Sequence, residues 1–284
     1  MKNKFRLLAM AVLALTWTSL PVPALAADLK DGTAIPHVGE SGLAGYGAFV
    51  QAEDHKAFVI APGGAWAWVS GNATVEGAEA EARAACRQDT RQPCQLYASD
   101  DQVVFDAAAW AASWDLHQSA VQAEQAPLGT GRGDRFPDLA LGAPDGRAMT
   151  LGDLRGTPVF LHFWGSWCPP CQTEFVDLQR LFEAVGGEDG VKFVLVQGRE
   201  SIAKSRRWAQ KRGFTMPLYD SGAQGHGDRN LRLKDGTQLG DRRLVPAYPT
   251  TYILDANSLV VFHQAGPGEH WDQYEQLIRH LAKR

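Results

Sequence analysis

The stretch Val159-Phe160-Leu161-His162-Phe163-Trp164-Gly165-Ser166-Trp167-Cys168-Pro169-Pro170-Cys171 decides the fold of this chain. The apolar run from Pro158 to Phe163, which leads into this stretch, is typical of a buried central strand. Apolar residues then recur at helical spacing and predict an amphipathic helix: Phe175, Leu178, Leu181 and Phe182. The two cysteines therefore lie where a buried strand turns into a helix.

That position suits redox chemistry at sulfur. Unpaired backbone N–H groups and the helix dipole stabilise a thiolate at Cys168, so its pKa is expected to be lowered and it is expected to be the nucleophile. Cys171 lies one turn later and can attack a mixed disulfide formed by Cys168. Pro is tolerated in the first helical turn. The alternatives are a permanent disulfide or half of a zinc site, but zinc would need two further ligands.

The remainder of the second half alternates strand and helix patterns, as an α/β domain does. The predicted elements are a strand over 191–196, a helix over 201–212, strands over 250–254 and 259–264, and a closing helix over 271–281. The basic residues from Arg199 to Lys211 are interpreted as a solvated helix face. His162 and His263 lie within apolar strands and are interpreted as core histidines, whereas His226 in a Gly-rich loop has no assigned role.

The first half predicts a small α+β domain over residues 27–106. Strand-like runs at 57–61 and 65–69 flank a Gly-bearing turn, a helix capped by Thr74 follows, and two further strands surround Asp100 and Asp101. A structural disulfide between Cys86 and Cys94 is expected to reinforce this small unit. A second redox pair is the alternative, although neither cysteine has an activating neighbour.

Tryptophans in this half invite two interpretations. Trp66 and Trp68 are expected to pack the hairpin against the Thr74 helix, the alternative being a docking module for a partner. Residues 107–133 predict a connector, in which Trp110 and Trp114 at helical spacing serve packing. Its Gly-rich end, 129–133, is interpreted as a flexible joint, and the second domain spans 134–284.

Composition and the N-terminus indicate an exported globular protein. The 284 residues suggest two domains, and 28 basic against 32 acidic side chains give a net charge of -4 that offers no footprint for nucleic acid. Residues 1–26 predict a signal peptide, with three basic residues, an apolar run and Ala24-Leu25-Ala26 before the cleavage site. Cleavage leaves 25 basic residues, a charge of -7 and no apolar stretch of spanning length. A retained membrane anchor is the alternative.

From Phe136 to the C-terminus, the chain resembles exported bacterial thioredoxin-like thiol-disulfide oxidoreductases of the TlpA/ResA-like family. The resemblance rests on Phe136-Pro137-Asp138-Leu139, Asp153-Leu154-Arg155-Gly156, the Cys-Pro-Pro-Cys segment with Glu174 after it, and Tyr248-Pro249-Thr250-Thr251. It covers a little over half of the chain. It implies a thioredoxin-like fold, with a central β-sheet flanked by helices, after the small α+β domain.

The resemblance also implies roles for individual residues. Pro249 would be a cis-proline facing the two cysteines, and with Tyr248 and Trp167 it would contact the substrate. Glu174 would move the proton of Cys171, although a carboxylate also suits the first turns of a helix for electrostatic reasons. The substrate would be a disulfide-containing protein and the electron donor a membrane thiol carrier, in the periplasm or otherwise outside the cytoplasm, with no cofactor and no metal.

Two other functions use the same cysteines. A peroxiredoxin shares the Phe-Pro lead-in, but Gly165 stands where those enzymes resemble one another in a Thr. A copper- or haem-assembly binding module would use Cys168 and Cys171 as soft ligands. The motif Cys-Pro-Pro-Cys is compatible with a wide span of potentials, so the sequence does not set the direction of electron flow.

Overall fold

The computed structural model describes residues 28–116, 118–185, 190–268 and 270–283. The predicted signal peptide lies outside the described residues. Among the residues described, no helix combines the length and the apolar character needed to cross a membrane.

The N-terminal unit is a four-stranded antiparallel sheet with one helix on each face. Its elements are α1 (Glu40–Gln51), β1 (Ala57–Ile60), β2 (Trp66–Val69), α2 (Val75–Asp89), β3 (Gln95–Ser99) and β4 (Gln102–Val103). The strand order is β2-β1-β3-β4. The predicted hairpins and the helix between them are present. Helix α1 is an addition to the predicted set.

Helix α2 covers the face of the sheet that carries small side chains. The Thr74 hydroxyl accepts a hydrogen bond from the Gly77 N–H at 3.1 Å and caps the helix. Ala78, Ala82 and Cys86 recur every four residues and are fully buried against this face. Cys86 is disulfide-bonded to Cys94, with their Cα atoms 6.2 Å apart, so the end of α2 is tied to the start of β3.

The two hairpin tryptophans pack against α1. The expectation that they pack against the helix capped by Thr74, which is α2, is wrong. Side chains alternate between the faces of a strand, and Trp66 and Trp68 pair with Ile60 and Phe58 on the face opposite α2. Trp66 stacks on Phe58 with ring centroids 5.9 Å apart. Helix α1 approaches so closely that a Cβ atom on Gly45 would lie 2.4 Å from the Trp66 ring.

The connector consists of two short helices, α3 (Ala107–Trp114) and α4 (Ala120–Gln125), and not of one. The break precedes Ser119, which begins α4 with a capping box. The Gly-rich segment that follows is tied down, unlike a flexible joint: Gly133 N–H donates to Val260 O at 2.9 Å, and Arg132 donates to Trp114 O at 2.6 Å.

The second half has the predicted α/β architecture. Its elements are β5 (Ala140–Gly142), β6 (Ala148–Thr150), β7 (Val159–Trp164), α5 (Pro169–Val185), β8 (Lys192–Gln197), α6 (Ile202–Gln210), β9 (Leu218–Tyr219), β10 (Asn230–Arg232), β11 (Gln238–Gly240), β12 (Thr250–Leu254), β13 (Val260–Ala265) and α7 (Glu275–Ala282). A central sheet of order β13-β12-β7-β8-β9 carries the fold. Strands β7, β8 and β9 run parallel, and β12 runs antiparallel to both of its neighbours.

The two halves share one hydrophobic core. Phe58 of the N-terminal sheet, Trp114 of the connector and Phe262 of β13 belong to the same cluster of buried side chains. Trp114 is fully buried and stacks on Phe262 with ring centroids 6.1 Å apart. The connector is therefore a packed layer between the halves.

Candidate active site

The Cys-Pro-Pro-Cys segment lies at the C-terminal end of the central strand β7. Every residue of β7 is buried, and α5 begins at Pro169, directly after Cys168. The two cysteines form a disulfide with their Cα atoms 5.3 Å apart. The Cys171 backbone N–H donates to Cys168 Sγ at 3.2 Å, so a helix-terminal N–H already points at the sulfur where a thiolate would form.

Burial distinguishes the two sulfur-bearing residues. Cys168 is 3% exposed and Cys171 is 0% exposed, so Cys168 is the more accessible of the two. This difference agrees with the expectation that Cys168 is the nucleophile and Cys171 its resolving partner.

Pro249 lies at the same end of the sheet. The Tyr248–Pro249 peptide bond is cis. Thr250 pairs with Phe163 across the antiparallel β12 and β7, so Pro249 lies beside the point where β7 leaves the sheet toward Cys168. The structure thus brings Pro249 and the cysteine segment together.

Trp167 is held between three neighbours. Its indole N–H donates to Gly198 O at 2.8 Å, which fixes the ring against the end of β8. Its ring contacts Tyr248 at 5.1 Å and His226 at 5.3 Å between centroids, both in edge-on geometry. Sequence reasoning left His226 without a role, and only the folded chain places its loop beside Trp167.

An ion pair lies behind Tyr248. Arg199 donates to both carboxylate oxygens of Asp241, at 2.6 and 3.0 Å, and both side chains are about 95% buried. The Tyr248 hydroxyl lies 3.3 Å from Asp241, and the Arg199 guanidinium lies 5.2 Å from the centre of the Tyr248 ring. The interpretation of Arg199 as part of a solvated face is therefore wrong. It fits Lys204, Arg206 and Arg207, which are exposed.

A second buried carboxylate holds the turn before Cys168. Glu200, 2% exposed, accepts hydrogen bonds from the Ser166 N–H at 2.6 Å, the Ser166 hydroxyl at 2.5 Å and the Ser205 hydroxyl at 2.7 Å. Lys204 Nζ approaches it at 3.3 Å. Sequence reasoning missed Glu200. Its available signal was a polar run directly after the buried strand β8, at the edge of the sheet where β7 also ends.

Glu174 is buried beneath the cysteines on α5. It lies three residues after Cys171, on the same face of the helix. Its Oε2 accepts hydrogen bonds from the Gly268 N–H at 3.0 Å and from the Trp271 indole N–H at 3.1 Å. Its Oε1 has no hydrogen-bond partner among the described residues. Burial raises the pKa of Glu174 to about 7, against the opposing effect of the two donors.

His162 faces the same carboxylate from β7. It is fully buried, and its Nδ1 lies 2.8 Å from the Thr251 hydroxyl while its Nε2 approaches Glu174 Oε1 at 3.4 Å. Burial lowers the pKa of His162 to about 3, so the imidazole is neutral at neutral pH. The contact is thus a neutral ring against a carboxyl group and not a salt bridge.

A cavity of about 420 Å³ opens beside Glu174. It is lined by Pro170, Thr173, Glu174, Asp177, Pro267, Gly268 and His270. One wall is the N-terminal part of α5, including Pro170 between the two cysteines. His263, by contrast, stacks on Tyr252 with ring centroids 4.4 Å apart, and it is half-buried on the edge strand β13 and not fully buried as a core histidine would be. Within the described ranges, no cluster of three or more His, Cys, Asp or Glu side chains could hold a metal ion.

Comparison with known proteins identifies the second half. Residues 132–263 match the model of the AhpC/TSA family. The thiol-disulfide oxidoreductase ResA of Geobacillus thermodenitrificans is 30% identical over 128 residues, which cover 45% of this chain and 66% of that protein. The thioredoxin-like protein YneN of Bacillus subtilis is 28% identical over 148 residues, covering 52% of this chain and 77% of that protein.

Solved structures of similar segments are also known. A putative thiol:disulfide interchange protein DsbE from Chlorobium tepidum is 23% identical, covers 54% of this chain and 99% of its own, and has a TM-score of 0.42. StoA from Bacillus subtilis is 21% identical over 50% of this chain and 98% of its own, with a TM-score of 0.38.

The curated relatives do not favour the peroxiredoxin or metal-assembly alternatives, since they are named for thiol-disulfide exchange and for thioredoxin. Gly165, three residues before Cys168, agrees with this. Residues 132–263 thus match the AhpC/TSA family model, and the second half of the chain is a thioredoxin-like domain similar to curated thiol-disulfide oxidoreductases.

Proposed function

We propose that the chain is an exported thiol-disulfide oxidoreductase that reduces protein disulfides through Cys168 and Cys171. The observation that carries the proposal is the pairing of the two sulfurs at the N-terminus of α5, with a backbone N–H 3.2 Å from Cys168 Sγ. In the reduced protein this N–H and the helix dipole stabilise the Cys168 thiolate.

The reaction proceeds in two exchange steps. The Cys168 thiolate attacks one sulfur of the substrate disulfide, forms a mixed disulfide and releases the other substrate sulfur as a thiolate. The Cys171 thiolate then attacks Cys168 Sγ, which releases the second substrate sulfur. Two electrons pass from the cysteine pair to the substrate, and the pair ends as the internal disulfide.

Glu174 receives the proton that Cys171 must lose in the second step. A carboxyl group with a pKa of about 7 is close to evenly ionised at neutral pH, so it can both accept and return a proton. Trp271 and Gly268 hold Oε2, whereas Oε1 has no hydrogen-bond partner among the described residues and lies 3.4 Å from His162 Nε2. The orientation of the carboxyl group is thereby fixed.

The substrate segment lies against Trp167, Tyr248 and Pro249. Pro249 lies at the end of the sheet where β7 leads to Cys168, so an extended substrate chain would lie beside both residues. The Arg199–Asp241 pair fixes Tyr248 from behind, so this wall is preorganised before substrate arrives. A membrane thiol carrier would return electrons to the pair, and the N-terminal signal would direct the chain to the periplasm or an equivalent exported location.

Trapping of the mixed disulfide tests the proposal. Cys171→Ser leaves the nucleophile without its resolving partner, so incubation with a disulfide-containing protein should accumulate a covalent adduct on Cys168. The matched variant Cys168→Ser retains one thiol in the motif but should give no adduct. Equal adduct formation by both variants, or by neither, would contradict the assignment of Cys168 as the nucleophile.

A further inference from the structure

The N-terminal unit contacts the short 3-10 helix Trp271–Tyr274 that precedes α7. The backbone N–H of His37 donates to Gln273 Oε1 at 2.5 Å, and the His37 ring lies 4.4 Å from the Tyr274 ring. On its other side, His37 Nδ1 accepts a hydrogen bond from the Gly63 N–H at 3.3 Å. His37 therefore joins the loop after β1 to this helix.

The same helix carries a donor to the active-site carboxylate. Trp271 is fully buried, and its indole N–H is one of two groups that hold Glu174 Oε2. The other is the Gly268 N–H, which lies just before the helix. A Cβ atom on Gly268 would stand 2.2 Å from the Trp271 ring, so the loop and the ring are packed as one piece. Displacement of the helix would move both donors.

We propose that the N-terminal unit, through His37, holds this helix in place and so positions the two donors that orient Glu174 beside Cys171. His37 is a positioning residue for the redox site, since it touches neither cysteine. The inference rests on the proposed function only in assigning Glu174 a role in catalysis. The mechanical link from His37 to Glu174 stands on the contacts alone.

The setting of His37 suits a fixed support. Its backbone adopts a left-handed conformation, with φ of 68°, and its ring meets Trp110 and Trp114 edge-on at 5.6 and 5.2 Å. Burial lowers the pKa of His37 to about 3, so the imidazole stays neutral over the pH range in which Glu174 titrates. A change in the ionisation of Glu174 would thus arise from displacement of the helix, through its burial and its donors, and not from the charge of His37.

The charged and titratable groups around Glu174 are known from each neighbouring element. His162 faces it from β7, Asp177 lies on its own helix, and His270 lines the adjoining cavity from the loop before Trp271. None of them contacts His37 in the structure's described part. A His37 variant therefore tests the helix and its donors without altering these charges.

The test is a titration of the Glu174 carboxyl carbon by NMR in the full chain labelled at Glu, with the resonance assigned by its loss in Glu174→Gln. His37→Asn tolerates the left-handed backbone but removes the ring. Because burial is the largest influence on the pKa of Glu174, water admitted by the loosened helix should outweigh the loss of the two donors, so this pKa should fall by about one unit or more. His55→Asn is the matched control, because His55 is exposed and also left-handed, with φ of 55°.

A second variant should shift the pKa of Glu174 in the opposite direction and so separates the loss of a hydrogen-bond donor from the relief of burial. Trp271→Phe removes one donor but keeps an aromatic ring in place, so the pKa of Glu174 should rise. Gln273→Met removes the acceptor of the His37 N–H and should act like His37→Asn, which covers the case in which that variant fails to fold. In a Glu174→Gln background, His37→Asn should leave the pH profile of thiol alkylation unchanged.

The proposal is overturned if Glu174 titrates alike in His37→Asn, Gln273→Met and the parent while Trp271→Phe still shifts it. A pH profile that responds to His37→Asn equally with and without Glu174 would also contradict it. Failure of the proposed function would appear separately, as a Cys168/Cys171 pair that does not exchange with a dithiol buffer, and would leave the titration of Glu174 unaffected.

Discussion

Glu174 is the residue at which burial, hydrogen bonding and the expected chemistry meet. Its carboxyl group loses hydration in the fold, and two N–H donors replace only part of it. The result is a pKa near 7 in the folded chain against an ordinary value of 4.5. Such a group can act as a proton acceptor at neutral pH, and it costs stability wherever it must ionise.

The stability cost of Glu174 gives a pH prediction. Between pH 4.5 and 7 the folded state holds more protons at Glu174 than the unfolded state, so its contribution to stability falls as pH rises. The total loss should be about 3 kcal/mol. Urea unfolding at several pH values should show this loss as the difference between the parent chain and Glu174→Gln.

The comparison with Glu174→Gln is needed because His162 changes the pH dependence of stability in the opposite direction. Its folded pKa of about 3 lies below the ordinary 6.5, so stability is lost as pH falls from 6.5 toward 3. The two contributions offset each other between pH 4.5 and 6.5, and only the difference between the two proteins isolates Glu174. A difference that does not change from pH 5 to pH 8 would contradict the buried setting of Glu174.

At the scale of elements, the active site depends on a tether between two loops. Arg199 follows β8, and Asp241 opens the 3-10 helix Asp241–Arg243 that leads to Tyr248. Their bidentate contact, buried on both sides, ties the loop after β8 to the segment before Pro249. Glu200 fixes the turn before Cys168 from the same loop.

Breaking the tether should affect both stability and substrate handling. Asp241→Asn leaves the buried Arg199 charge without a counter-ion, which should cost about 3–5 kcal/mol in the free energy of unfolding. Loss of support for Tyr248 should raise KM for a protein disulfide more than it lowers kcat. Arg207→Met on the exposed face of α6 is the control and should change stability by about 0.5 kcal/mol or less. Equal effects of the two variants would show that the pair does not serve as a tether.

The bridge between Cys86 and Cys94 should be structural only. Replacing both residues by Ala opens a short loop and should lower the free energy of unfolding by about 2–3 kcal/mol. The redox equilibrium of Cys168 and Cys171 should not move, because the bridge joins α2 to the start of β3 in the N-terminal unit and touches neither β7 nor α5. Denaturant unfolding and thiol titration of the same sample check the two halves of this expectation. A shifted Cys168/Cys171 equilibrium would mean that the two pairs communicate.

Sequence patterns predicted those elements whose signals are local. The buried strand, the cysteine motif and the following helix are adjacent along the chain, so a single stretch carries the whole arrangement. Helix α1 was missed because Gly42, Gly45 and Gly47 lower its helix propensity, although close packing on Trp66 requires the glycine at 45. Its absence from the prediction is also why the tryptophans were assigned to the wrong face.

Contacts distant in sequence were not predictable. Arg199 and Asp241 are 42 residues apart, and a basic run around Arg199 has the same pattern as a solvated helix face. Likewise, nothing near His37 indicates that it meets Gln273, which lies 236 residues later. Both depend on how the loops meet in the folded chain.

At the scale of the whole molecule, the two halves should unfold together. Trp114 fills the interface, surrounded by His37, Phe262 and Tyr274. Trp114→Ala should therefore cost about 3–5 kcal/mol and separate one transition into two. Val121→Ala, on the exposed side of the connector, is the control and should leave a single transition. Coincident calorimetric and spectroscopic transitions in Trp114→Ala would contradict the shared core.

The redox equilibrium of both cysteine pairs in graded dithiol buffers tests the central claim most directly, with alkylation and mass analysis reporting each pair separately. The account predicts a reversible Cys168/Cys171 couple with a reduction potential near about -270 mV. It predicts that the reduction potential of the Cys86/Cys94 bridge lies below about -300 mV, so that this bridge is harder to reduce. A Cys168/Cys171 value near about -120 mV, or a pair that never equilibrates with the buffer, would contradict an enzyme that reduces protein disulfides.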